Sequence, residues 1–185
     1  SKRPAFTNKS ASRVFVTGAT GFIGGWCVEE LAIRRTHEVF AGIRTWGKAC
    51  RIARFGVPLA HFDLMDKASI KKAICNADVV IHAAVGDYDT TVTGTRNLFE
   101  VASEVGVKRI IHLSSIAVYG SGEGEFSEES EEKPTTDYGI RKLEAEKIAI
   151  SFKKLLDVVI LRPTIVYGPF SDQWTHNIGL RIART

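Results

Sequence analysis

Hydrophobic positions along this chain fall into two kinds of run. Short, β-branched stretches recur at Val14-Phe15-Val16, Val39 to Ile43, Leu59 to Phe62, Val79 to His82, Ile110 to Leu113 and Val158 to Leu161. Between them lie longer segments of helical pattern: Phe22 to Arg35, Lys67 to Cys75, Thr93 to Val105 and Tyr138 to Phe152. The short runs carry almost no polar alternation, so each is expected to be a strand covered on both faces, in a parallel sheet built from right-handed crossover units. The expected fold class is α/β, a doubly wound parallel sheet of the Rossmann type. Asp66, just ahead of the second helical segment, has the chemistry of an N-cap.

One stretch breaks the alternation. Gly120 to Asp137 reads GSGEGEFSEESEEKPTTD, with Glu123, Glu125, Glu128, Glu129, Glu131 and Glu132 set between glycines and a proline. Like charges this dense stay wet, so a solvated surface loop is expected, bordering a site only because it leads directly into the last helix.

The chain has 185 residues, 44% of them apolar, which is enough for a hydrophobic core in one domain and too few for two full domains. The 25 basic and 21 acidic residues leave a net charge of +4 that is not gathered into one stripe, so nucleic acid is not an expected partner. Ser1 to Arg13 is basic and polar and reads as a flexible lead-in. No apolar run reaches signal-peptide or membrane-spanning length, so no membrane partner and a cytoplasmic location are expected. Cys27, Cys50 and Cys75 are scattered and lack metal-ligand spacing, and they read as buried or inert thiols in a reducing compartment. The expected organisation is a lead-in over 1–12, a dinucleotide-binding domain over 13–169 and the start of a further region over 170–185.

The first strand runs straight into Thr17-Gly18-Ala19-Thr20-Gly21-Phe22-Ile23-Gly24 and then a helix. Glycines there allow a tight turn, a close backbone approach to a pyrophosphate and a close helix–strand contact, while the helix N-terminus offers free N–H groups to phosphates. The spacing is GxxGxxG and not GxGxxG. At the end of the second strand, where a carboxylate would bind a ribose 2′-hydroxyl, the chain has Arg44, with Lys48 and Arg51 close behind. A guanidinium there suits a 2′-phosphate, so NADP is the expected cofactor, with NAD as the alternative. Arg44 could equally stack on the adenine ring and serve either cofactor. Asp63, at the end of the third strand, could accept from the adenine amino group or cap the segment that follows.

Tyr138 and Lys142 are four apart at the start of the last helix and share one face of it. A phenol is a poor base at its usual pKa of about 10, but a nearby ammonium and an oxidised nicotinamide both favour the phenolate and so fit Tyr138 to move a proton. A serine at the end of the fifth strand, in Leu113-Ser114-Ser115-Ile116, could hold a substrate oxygen in line with it.

These motifs, in this order, resemble the extended short-chain dehydrogenase/reductases of the NAD-dependent epimerase/dehydratase family over nearly all of Arg13 to Asp172. The resemblance rests on TGATGFIG at Thr17 to Gly24, DL at Asp63-Leu64, HAA at His82 to Ala84 and GTRNLFEVA at Gly94 to Ala102. It continues in HLSSIAVYG at His112 to Gly120, YGIRK at Tyr138 to Lys142 and RPTIVYGP at Arg162 to Pro169. It implies Ser115 as the substrate-orienting serine, Tyr138 as acid/base and Lys142 as the lysine that binds ribose and favours the phenolate. It also implies cofactor contacts from Gly18, Thr20, Gly21, Phe22, Ile23, Gly24, Arg44, Asp63, Leu64, Ala83, Ala84 and Pro163, with His82 a packed strand-end residue and a homodimer as the assembly.

Departures from the family pattern narrow the expected chemistry. Sugar 4,6-dehydratases follow their strand-end serine or threonine with an Asp-Glu pair, where this chain has Ile116-Ala117. The segment Val85 to Thr90 lacks the lysine of the UDP-galactose 4-epimerases, and Thr91 replaces the asparagine of NVxGT, which puts that helix's link to the site in question. Family members also continue well past RPxxVYGP, so the chain is expected to lack most of a substrate-selective half. The expected function is hydride transfer between a nicotinamide and a secondary alcohol or ketone carbon, foremost of a nucleotide-sugar. A ketone reductase resembling the dihydroflavonol or 3β-hydroxysteroid enzymes is the alternative, and a non-catalytic NADP-binding redox sensor a third reading.

Overall fold

A computed structural model describes residues 11–122 and 124–171. Six parallel strands, β1 Arg13–Thr17, β2 Glu38–Ile43, β3 Leu59–His61, β4 Val79–His82, β5 Arg109–Leu113 and β6 Asp157–Leu161, form one sheet in the order β3-β2-β1-β4-β5-β6. The helices are α1 Phe22–Arg34, α2 Cys50–Ala53, α3 Lys67–Ile74, α4 Gly94–Val105 and α5 Asp137–Ser151. Every strand and helix expected from the hydrophobic pattern is present, with bounds moved by a residue at most ends. The short α2, the 3-10 turns Trp46–Lys48 and Ile116–Tyr119, and a π turn at Asp89–Thr93 running into α4 were not expected, because such turns are too brief to show a period.

Alternation along β1 divides the core into two layers. Val14 and Val16 face Val28, Val39, Ala41 and Ile52 on the side of α1 and α2. Phe15 faces the opposite layer, with Ile70, Leu98, Phe99, Ile110 and Ala149 from α3, α4, β5 and α5. Phe15 and Phe99 are fully buried, and truncating either to alanine costs about 3–5 kcal/mol. Since the chain leaves β1 toward one face and β4 toward the other, a crevice opens at the carboxyl ends of these two neighbouring strands.

Local details confirm some expectations and correct others. Asp66 caps α3, accepting from the Ala68 N–H at 2.9 Å. Asp63 is not that cap: its Oδ1 accepts from the Met65 N–H at 2.9 Å and closes a turn one step earlier. The thiols are not all buried, since Cys50 and Cys75 are exposed and Cys27 is half-buried; all three are free. The lead-in before residue 11, Glu123 and most of the region expected over 170–185 lie outside the described residues.

Candidate active site

A cleft of about 1110 Å³ lies across the carboxyl ends of β1, β4, β5 and β6. Its floor is the glycine loop, and its walls come from Ala83, Val85 and Gly86 after β4, Ser114 to Ala117 after β5, Tyr138 and Arg141 on α5, and Pro163 to Val166 after β6. A second cavity, of about 560 Å³, lies over β2 and β3 against Phe40, Leu59 and Ala60 and contains none of the expected site residues.

Glycine is required in the loop at two places. Gly18 has φ +63°, and a Cβ there would meet the Ala84 nitrogen at 2.7 Å; a Cβ on Gly24 would meet the Gly18 carbonyl oxygen at 2.2 Å. The bare backbone lets α1 start against the loop. Its N-cap, Gly21, brings no capping side chain, and its first turn contains no acidic residue. The leading N–H groups, which have no acceptor within the helix, are therefore left for an anion. Gly18, Thr20, Gly21, Phe22, Ile23 and Gly24 all line the cleft, and the donor set fits the pyrophosphate of a dinucleotide.

A hydrogen-bonded column supports the loop from beneath. Thr17 Oγ1 accepts from the Ala84 N–H at 3.2 Å and meets His82 Nδ1 at 2.9 Å, and His82 Nε2 lies 3.0 Å from Thr95 Oγ1. Thr95 Oγ1 donates onward to the Thr91 carbonyl, so the column is complete with His82 neutral and its proton on Nε2. Burial, then the neighbouring His112 and Lys142, holds the His82 pKa far below the usual histidine range. His82 is thus a packed strand-end residue. Thr91 is buried, and its hydroxyl donates to the Gly86 carbonyl at 3.1 Å and accepts from the Gly86 N–H at 3.2 Å. That clamp on a cleft-lining glycine is the link between the π turn and the site.

The expected Ser, Tyr and Lys come from two elements held close together. Ser115 caps the turn Ile116–Tyr119, its Oγ accepting from the Ala117 N–H at 3.2 Å. Thr136 caps α5, accepting from the Gly139 N–H at 3.1 Å. A Cβ on Gly139 would meet the Ala117 carbonyl oxygen at 2.4 Å, so glycine lets the first turn of α5 lie directly on the Ser115 turn. Ser115 and Tyr138 consequently share the cleft. Lys142, one turn further, is buried; its Nζ donates to the Leu113 carbonyl at 2.7 Å and lies 5.9 Å from the Tyr138 ring centroid. Burial lowers the Lys142 pKa to about 8, against the opposing pull of Glu146. Beside Lys142 the His112 ring is buried with both nitrogens lacking a partner among the described residues, and its pKa is pushed down to about 3, by burial and then by Lys142.

Other expected contacts divide. Ala83 and Pro163 line the cleft, whereas Ala84 contributes through its N–H to Thr17 and Leu64 is buried against the Gly94 position. Asp63, Leu64 and Arg44 are not among its lining residues, and Arg44 and Lys48 are exposed. Arg51 lines the cleft but does not extend a cluster around Arg44: its guanidinium packs over the Phe170 ring at 4.0 Å and the Trp26 ring at 4.9 Å, and it pairs with Glu29 at 3.5 Å. The acidic loop is only partly solvated, because Phe126 stacks on Tyr119 and Glu132 pairs with Arg162 at 2.6 Å. Sequence reasoning missed the structural roles of Gly139, Thr91 and Arg162; only the YG pair at Tyr138-Gly139 carried a local signal.

Fold and site together define a doubly wound α/β domain with Ser115 and Tyr138 on its crevice and Lys142 buried behind them. The NAD dependent epimerase/dehydratase family matches residues 14–185, and the chain belongs to that family. It is 32% identical over 180 residues to the UDP-glucose 4-epimerase of Vibrio cholerae, covering 87% of this chain and 54% of that protein. It is 33% identical over 170 residues to the sterol demethylase protein B of Methylococcus capsulatus, covering 84% of this chain and 52% of that one. The UDP-glucuronic acid 4-epimerase of Bacillus cereus, solved in complex with NAD, superimposes with a TM-score of 0.80 at 26% identity, over 93% of this chain and 64% of that one. The chain thus spans about half the length of the curated relatives it matches. Among the described residues no helix is long and apolar enough to cross a membrane.

Proposed function

We propose that the cleft binds a nicotinamide dinucleotide and supports hydride transfer at a secondary alcohol or ketone carbon, with a nucleotide-sugar as the substrate class. The observation that carries this reading is the meeting of Ser115 and Tyr138 in the cleft that the glycine loop floors, with Lys142 one turn behind. When bound, the nicotinamide supplies the hydride donor or acceptor. Tyr138 Oη exchanges a proton with the substrate oxygen, and Ser115 Oγ holds that oxygen in line. The Lys142 ammonium favours the phenolate and would hold the nicotinamide ribose. The V. cholerae and B. cereus relatives are named for sugar nucleotides, which supports that substrate class.

NADP is the proposed form and NAD the alternative. Arg44 is exposed where β2 ends and makes no ion pair or side-chain hydrogen bond among the described residues; the Asp87 carboxylate is its electrostatic neighbour, and a 2′-phosphate would compete with it for the guanidinium. Replacing Arg44 with Asp is expected to shift preference from NADPH toward NADH in fluorescence titrations; an unchanged affinity ratio removes the case for the phosphate. The main test is turnover of a panel of UDP- and dTDP-sugars and hydrophobic ketones, run beside Tyr138→Phe. That variant is expected to lose turnover while binding NADPH nearly as before, and retained turnover would refute the acid/base role.

A second reading, a ketone reductase of the steroid or dihydroflavonol type, is favoured by one feature. Ile116 and Ala117 line the cleft beside Ser115 and give that wall an apolar surface, and one relative is named for sterols. Faster conversion of the ketones than of any sugar nucleotide would select it. A homodimer, by family resemblance, and a cytoplasmic location are part of the same proposal.

A further inference from the structure

Arg162, the residue before Pro163, meets three other segments through one guanidinium. Its Nε and Nη2 fork on the Glu146 carboxylate at 3.0 and 2.6 Å, Nη1 donates to the Tyr119 hydroxyl, and Nη2 also reaches Glu132 at 2.6 Å. The guanidinium lies over the Tyr119 ring, 4.9 Å from its centroid. Two of these segments deliver a part of the cleft, and the third packs against α5. Glu146, fully buried, is on α5 one turn beyond Lys142; Tyr119 ends the turn that Ser115 begins; Glu132 precedes Pro134, which packs at Gly139.

We propose that Arg162 is the positioning residue of this site, fixing Ser115, Tyr138 and Pro163 relative to one another by tying α5, the Ser115 turn and the acidic loop to the end of β6. The inference rests on the function proposed above. Only a planar fork of five donors can serve these acceptors together, and lysine offers a point charge in its place. Arg162 itself is not among the cleft-lining residues, so its effect passes through the groups it holds. Glu146 also acts on Lys142, raising its proton affinity, so the Arg162 pair bears on the charge next to Tyr138 as well as on its place.

The test compares Arg162→Met, Arg162→Lys and the double variant Arg162→Met/Glu146→Met. Melting temperature, NADPH affinity, and kcat and KM for UDP-glucose, or for the panel member that the wild-type chain converts fastest, are measured. Arg162→Met leaves a buried carboxylate unpaired and is expected to melt early, whereas the double variant removes both charges and is expected to recover most of that loss. Positioning predicts that the recovered double variant still turns over about 10²-fold slower than wild type, with NADPH affinity and KM nearly unchanged. Arg162→Lys is expected to fall between. A double variant that regains both stability and wild-type kcat overturns the proposal. If the double variant does not fold, wild-type kcat in a folded Arg162→Lys overturns it instead. A wild-type chain inactive on the whole panel refutes the proposed reaction itself, a result that no Arg162 variant can produce.

Discussion

Gly139→Ala sets two effects against each other inside one helix. Alanine is the better helix former by about 1 kcal/mol, so propensity alone predicts a more stable α5. Sterics predict the reverse. The added methyl would lie 2.4 Å from the Ala117 carbonyl oxygen and 3.0 Å from the Pro134 side chain, where ordinary contact begins near 3.4 Å. The obstacle is backbone of the turn that carries Ser115, not the end of a flexible side chain, so relief requires α5 and that turn to part by about 1 Å. Overpacking of this kind costs about 1–3 kcal/mol, which exceeds the propensity gain. The same displacement separates Tyr138 from Ser115 and is worth about 10²-fold in turnover. Chemical denaturation, NADPH titration and steady-state kinetics together decide the matter. The expected result is lower stability, near-normal cofactor affinity and a reduced kcat. Gly47→Ala, where the new methyl meets nothing within 4 Å, serves as the control and is expected to leave turnover unaltered. A Gly139→Ala protein that is both more stable and fully active would refute the close-approach explanation.

Two further predictions follow from buried ionisable groups. Lys142, lowered from 10.5 to about 8, binds a proton less tightly when folded than when unfolded, so folding stability should rise as the pH climbs from about 8 to 10.5; Lys142→Met should remove that slope, stabilise the neutral-pH protein by up to about 3 kcal/mol and abolish turnover. His112, lowered from 6.5 to about 3, has the same sign at lower pH: the unfolded chain takes up the proton first, so stability should fall as the pH drops from 6.5 toward 3. His112→Phe should flatten the denaturation midpoint over that window, and an unchanged acid profile would show that other groups, the equally buried His82 among them, govern acid unfolding.

The strands were legible because their runs are almost wholly apolar, although the expected cover on both faces fails at the sheet edges, where β3 and β6 have no fully buried residue. The glycine loop was legible for a related reason, since Gly18 and Gly24 occupy positions where a side chain would meet backbone. Tyr138 and Lys142 could be paired from their spacing alone, but Ser115 could not be chosen over Ser114 without the family resemblance. Asp63 shows where local chemistry has two outlets: its carboxylate closes a turn at Met65, and Asp66 takes the helix end. Arg51 illustrates a wider difficulty. As a sequence position it is one more cation after β2, yet its partners, Glu29, Trp26 and Phe170, come from α1 and from the far end of the chain. No spacing rule reports contacts that the sheet topology creates.

Stability and chemistry oppose one another most plainly at Lys142. Its amine is buried next to His112, whose ring nitrogens have no partner among the described residues, and it is satisfied chiefly by one carbonyl, that of Leu113. Such an arrangement destabilises the fold, and an apolar side chain would pack there at lower cost. What the cost secures is a cation fixed 5.9 Å from the Tyr138 ring and unable to swing into solvent. Arg162 stands in the opposite position: its partners hold it charged, with the hydrogen bonds it donates to Glu146 foremost, and it is removed from the cleft. One cation is therefore held at a cost beside the Tyr138 ring while the other, well satisfied, holds the frame that keeps it there. That division explains why the two replacements are expected to differ in kind. Loss of Lys142 should raise stability and end turnover, whereas loss of Arg162 alone should lower both.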